Sequence, residues 1–178
     1  MTMLRLRHRA RLRRKEIETL ASGIREAFGM DTFSPEDAVE RADVGEGTTV
    51  LLLGEEILML EVQERPLPTV RGLLRWPAVK RWVTVDMGAV PYVCNGADVM
   101  APGIVDADRS ILEGHLVWVR DERNQRPLAV GEAVMTGEVM AVAEKGKSIR
   151  ALHHVGDEYW THGHEEPETP PAGEPEKA

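Results

Sequence analysis

The chain holds a single cysteine, Cys94, among 178 residues. One thiol can form neither an internal disulfide nor a cysteine-rich zinc site. Aromatic residues are scarce: four Trp, two Tyr and two Phe. No apolar run approaches the ~20 residues that span a bilayer, and no apolar segment follows the charged N-terminus as a secretory signal requires. The expectation is a cytoplasmic protein that makes no use of a membrane. No GxxxxGK[ST] phosphate loop occurs. Carboxylates are missing from two stretches. Residues 1–15 carry seven Arg or Lys and no acid, and residues 65–85 carry Arg65, Arg71, Arg75, Lys80 and Arg81 and again no acid. Elsewhere the balance reverses, to a net charge of −8. An acidic total argues against indiscriminate nucleic-acid binding, because affinity for phosphate needs local positive potential. It leaves room for a basic face built from the acid-free stretches.

What is present reads as small elements in two groups. Leu12, Ile17, Leu20, Ile24 and Phe28 recur near helical spacing, with Gly29 as a stop. Short apolar runs at 38–44, 48–53 and 56–62 are separated by Gly45-Glu46-Gly47 and Gly54-Glu55, the signature of a three-strand meander. Helix and meander predict a small α+β domain over 1–65. Residues 66–79 are broken by Pro66, Pro68, Gly72 and Pro77 yet rich in Leu, Val and Trp, so they predict a connector packed between domains. A second domain is expected over 80–160. Val83 and Val85 share one strand face, and Val90, Val93, Cys94 and Ala97 line one side of a short helix that Gly96 terminates. Strands follow at 99–105, 115–120, 128–135 and 148–155, with Thr136 capping a second short helix. Short strands with two brief helices predict a mixed barrel. Residues 161–178 are almost devoid of apolar side chains and read as a disordered acidic tail.

The stretch VTVDMGAVPYVCNGADVMAPGIVDAD, with PLAVGEAVMTGEVM and GKSIRALHHVGDEYW, resembles a PUA domain, an RNA-binding module. With LPTVRGLL before it and the basic run leading into RRKEIETL, residues 1–160 resemble the archaeal relatives of the malignant T-cell-amplified-sequence proteins. These pair a small N-terminal domain with a C-terminal PUA pseudobarrel. The resemblance implies a non-catalytic, ribosome-associated role in translation, docking tRNA or small-subunit ribosomal RNA. A specificity module of an RNA-modifying enzyme is the alternative. It implies a contact surface of Gly88, Ala89, Val90, Pro91, Tyr92, Asn95, Gly96, Ala97, Val99, Met100, Ala101, Pro102 and Gly103, with the last strand beside it. A protein partner for the N-terminal domain is also implied, and the chain is expected to be a monomer.

Phosphate contact requires cations, bare N–H groups or a helix N-terminus. Gly88-Ala89 offers N–H groups that no bulky side chain screens, with turn geometry an equal reading of Gly88, while Gly103 reads as turn geometry. Arg71, Arg75, Lys80 and Arg81, with Lys145, Lys147 and Arg150 near the final strand, would supply the charge of one basic face. Solvated surface charges are the plainer reading. The N-terminal run Arg5 to Lys15 is a second basic candidate, the alternative being pairing with Glu16 and Glu18. Tyr92 is the stacking candidate, since Trp82 would more commonly pack at an interface. Asp86, Asp98, Asp106 and Asp108 have no diagnostic spacing, and Asp106-Ala107-Asp108 reads as a turn with capping oxygens. His162 and His164 fall in the acidic tail, and Cys94 sits on an apolar helix face without a His partner. No catalytic residue, metal or cofactor is therefore expected.

Overall fold

The computed structural model describes residues 3–164. Its first sheet is antiparallel, with five strands in sequential order: β1 (Arg7–Arg11), β2 (Val39–Gly45), β3 (Thr48–Leu53), β4 (Glu56–Val62) and β5 (Arg65–Pro68). The meander forms where alternating and apolar runs meet tight turns. At Glu46-Gly47 both residues have positive φ (50° and 75°), as a primed hairpin turn demands. Helix α1 (Arg14–Phe28) begins where the Glu16 carboxylate accepts the Arg13 N–H and ends at left-handed Gly29. It buries Ile17, Ala21, Ile24 and Phe28. Four consecutive residues of β4, Ile57 to Leu60, are buried, so neither face of this strand meets water.

The second sheet is mixed. Its strands are β6 (Trp82–Val85), β7 (Val99–Met100), β8 (Ile104–Ala107), β9 (Leu116–Asp121), β10 (Pro127–Ala133) and β11 (Lys147–His154), in the order β7-β11-β10-β9-β6-β8, with β6 and β9 parallel. Single-turn helices α3 (Val90–Val93), α4 (Gly137–Met140) and α5 (Glu158–Thr161) complete it. Val83, Val85, Val93, Val99, Val117, Val119 and Ile149 form its own core.

The two sheets share a seam. Leu116, Trp118 and Val130 of the second sheet belong to the same apolar cluster as the first sheet and α1. A further helix in chain order, α2 (Val70–Arg75; α3 to α5 follow it), lies in the seam against β4 and β10. Buried Thr69 caps α2: its Oγ1 accepts the Gly72 N–H and donates to the Ile57 carbonyl. The Val70 N–H donates to Nε2 of fully buried His153, 3.0 Å away. Nε2 therefore carries no proton, and Nδ1–H donates to Asp157 at 2.8 Å. A Cβ on Gly72 would lie 2.2 Å from the Leu58 carbonyl oxygen, so glycine alone permits this approach.

Several expectations change. The basic run of residues 5–15 is not a free arm: it contains edge strand β1, paired to β2 through Arg7–Asp43 and Arg11–Glu40, and its last residues cap and open α1. Within the connector, residues 66–79, lie α2 and all but the first residue of β5. Ordered structure continues past 160: α5 runs to Thr161, and His164 Nε2 contacts Glu56 Oε2 at 3.0 Å. The remainder of the expected acidic tail, residues 165–178, lies outside the described residues.

Candidate nucleic-acid interface

The candidate face is assembled by β6, α3 and β7. As β6 ends, the Asp86 carboxylate accepts the Ala89 N–H at 2.9 Å and Glu122 accepts the Met87 N–H at 3.0 Å. The Ala89 N–H, read from the sequence as a free phosphate donor, is thus already spent. Two carboxylates stand beside Gly88, which disfavours an anion at that end. Further along, α3 turns Val93 into the core and leaves Pro91, Tyr92, Asn95 and Ala97 exposed, Tyr92 to 69%. Val90 packs partly against the core. Gly96 (φ +91°) closes the turn that follows α3, and a Cβ there would sit 2.9 Å from His154 Nε2.

Beyond Gly96 the face gains its charge. The Asp98 carboxylate accepts the Ala151 N–H at 2.8 Å and pairs with Lys147 Nζ at 2.9 Å. These contacts hold its pKa below the usual range against partial burial. Strand β7 lies beside β11, with Met100 opposite Lys147, and the Ala101 N–H donates to the Gly146 carbonyl. Met100 and Pro102 are exposed here. Val99 and Ala101 are buried, so their side chains support the face from below. Gly103 packs against Ala89, where a Cβ would come within 2.9 Å of the alanine methyl. Close packing therefore accounts for this glycine.

The cations named from the sequence fall into three groups rather than one face. Lys145 and Lys147 flank Gly146 beside Met100. Lys145 has no carboxylate within 4 Å among the described residues, whereas Lys147 shares Asp98. Arg150 and Arg65 converge on Glu132, at 2.7 and 3.3 Å, and the carboxyl is held below its usual range chiefly by the Arg150 hydrogen bond. Arg71 stacks on Trp160 at 3.8 Å and donates to its carbonyl, while Arg75 faces Glu56. Lys80 donates to the Glu26 carbonyl, and Arg81 lies over Phe28. Arg71, Arg75, Lys80 and Arg81 are thereby engaged at the seam and α1.

Trp82 also packs into the seam cluster, with Arg120 over its ring at 4.2 Å. Asp108 caps the turn after β8, accepting from Arg81 and Ser110 N–H groups. Cys94 is half-buried against the second core, and burial raises its thiol pKa, the opposite of what a nucleophile needs. Among the described residues no three His, Cys, Asp or Glu come together as metal ligands. Val139 and Val142, not singled out from the sequence, are exposed at and just after α4, Val142 to 76%. The legible signal was length: a helix of one turn cannot bury Met140 and every neighbouring Val.

A short-stranded mixed near-barrel bearing this strand–helix–strand face is the architecture of a PUA domain, and the PUA domain family model matches residues 81–155. A solved hypothetical protein from Pyrococcus horikoshii is similar over 85% of this chain and 97% of its own, at 35% identity and a TM-score of 0.74. Human malignant T-cell-amplified sequence 2 is 30% identical, over 70% of this chain and 71% of its own length. Translation machinery-associated protein 20 of Saccharomyces cerevisiae is 31% identical, over 59% of this chain and 61% of its own. The chain belongs to the PUA-domain family of the malignant T-cell-amplified-sequence proteins and their archaeal relatives.

Proposed function

We propose that the protein is a non-catalytic RNA-binding component of the translation apparatus, and that its PUA face docks tRNA or small-subunit ribosomal RNA in the cytoplasm. The domain division at about residue 80 and the monomeric state belong to the same reading. The observation that carries it is the register of β7 on β11. Met100 stands opposite Lys147, which brings exposed Met100 and Pro102 beside the cations at 145 and 147, while exposed Tyr92 and Asn95 lie on α3 and the turn after it. The PUA domain thus offers an exposed aromatic ring on α3 and cations beside β7, the two elements by which proteins take hold of single-stranded RNA ends and loops. The Gly88 end, guarded by Asp86 and Glu122, orients the nucleic acid toward Gly96–Gly103. With Arg71, Arg75, Lys80, Arg81 and Arg150 engaged elsewhere, the lysines carry the phosphate contacts.

The double variant Lys145→Glu/Lys147→Glu tests this. In filter binding with tRNA and small-subunit rRNA fragments, the affinity falls at least ~10-fold and the slope of log affinity against log salt becomes shallower by about 1 per lysine removed. Unchanged affinity and slope would sink the assignment.

A further inference from the structure

We propose that the glutamate-rich segment 165–178 of this chain docks on the arginine edge formed by β1 and its flanks. All five residues of β1 are exposed, and β1 is an outer strand of its sheet. Of the seven cations between 5 and 15, Arg9 takes Glu40 and Glu55, and Arg14 takes Glu36. Arg5, Arg7, Arg11, Arg13 and Lys15 have no carboxylate within 4 Å among the described residues. The acids nearest along the strand are occupied: Asp43, opposite Arg7, accepts the Gly45 N–H, and Glu40, opposite Arg11, holds Arg9. The edge is a surplus of positive charge on a protein of net charge −8.

The path of the chain brings the complementary charge to this place. His164 Nε2 lies 3.0 Å from Glu56 Oε2, and His162 Nε2 lies 3.4 Å from Glu55 Oε1. The same β3–β4 turn anchors β1, because Arg9 donates to Glu55 Oε2 at 2.7 Å and to the Gly54 carbonyl at 3.0 Å. Residue 164 and the middle of β1 therefore meet on one turn. Immediately after it come Glu165, Glu166 and Glu168, then Glu174 and Glu176, against the single cation Lys177. Residues 165–178 can reach up to about 45 Å, against about 17 Å for a five-residue strand. Glutamates tethered to the turn that Arg9 grips experience a high effective concentration of the unpaired arginines of β1. The segment thereby competes with any polyanion that approaches β1, and the competition weakens as salt rises.

The docking itself does not depend on the RNA reading above, and the test separates the two. The full chain is compared by 15N NMR with a full-length variant carrying Glu165→Gln, Glu166→Gln, Glu168→Gln, Glu174→Gln and Glu176→Gln. At about 50 mM KCl the spectra differ at the amides and side-chain Nε–H signals of Arg5, Arg7 and Arg11, and the difference collapses near about 1 M KCl. Differences confined to residues 161–178 overturn the docking. Differences at β1 that grow with protein concentration overturn it in favour of a second copy of the chain. In a parallel titration with single-stranded RNA, the variant binds several-fold more tightly at low salt, and adding Arg7→Glu/Arg11→Glu removes the gain. If the NMR difference is present but RNA affinity is unchanged, the docking stands and competition with RNA is overturned.

Discussion

Tyr92 shows how one residue separates binding from stability. Its ring is exposed, and the apolar duty of α3 falls to Val93 and in part to Val90 and Cys94. Tyr92→Ala should shift Tm by no more than about 2 °C, because exposed substitutions usually cost within ~0.5 kcal/mol. It should weaken RNA binding roughly 10-fold, the scale of one lost base stack. Calorimetry beside filter binding reads both. A large Tm loss with intact affinity would show that the ring is structural. The sequence marked Tyr92 because the helix already had its apolar face. It could not show that Ala89 spends its N–H on Asp86, since that bond depends on how the chain turns after β6.

At the scale of elements, α2 most clearly exceeds what the sequence disclosed. Prolines and a glycine made residues 66–79 look like a connector, yet Thr69 caps a six-residue helix and Gly72 lets it settle on Leu58. Such a helix is too short to stand alone; its stability comes from the cap and from packing on β4 and β10. Thr69→Ala removes both hydrogen bonds of a buried hydroxyl and should cost about 1–2 kcal/mol, lowering Tm by roughly 3–6 °C. Thr69→Ser, which keeps the oxygen, should recover most of the loss in the same thermal melt. Equal loss in both variants would assign the effect to packing of the methyl group. Edge strand β1 was hidden for a related reason: five residues with three arginines have no apolar alternation, and only pairing with β2 makes them a strand.

For the whole molecule, acid stability follows from the paired carboxylates. Burial resists ionisation of Asp157, but the His153 ring and the His154 and Trp160 N–H groups hold its pKa below the usual aspartate range. Asp98, Asp108, Asp121, Glu61 and Glu132 shift the same way. A folded value below the unfolded one stabilises the protein above the unfolded value, and that stabilisation is lost as pH falls through the folded value. His115, lowered by partial burial and by Arg81 and Arg65, resists protonation when folded, so its cost begins earlier, below about pH 6.5. Thermal melts should therefore be flat from about pH 7 to 8, decline gently below about pH 6.5 and fall steeply below about pH 4. A maximum of stability at pH 4 would contradict the pairing of these carboxylates.

The amino-acid sequence by itself determined the meander, the amphipathic helix and the strand–helix–strand piece from Trp82 to Val105. Each is written in local terms: apolar period, turn residues and stop signals. It also pointed, through a resemblance that covers the PUA fold, to Tyr92 and the lysines near β11 as candidates for one face. Only the tertiary structure decided which charges remain available. Arg71, Arg75, Lys80, Arg81 and Arg150 are engaged by partners such as Trp160, Glu56, Phe28 and Glu132, most of them tens of residues away along the chain, while Lys145 and the arginines at 5, 7 and 11 are left without acids among the described residues. A cation's partner is fixed by folding rather than by spacing, because an ion pair forms within about 4 Å in space between groups that the sequence does not place together.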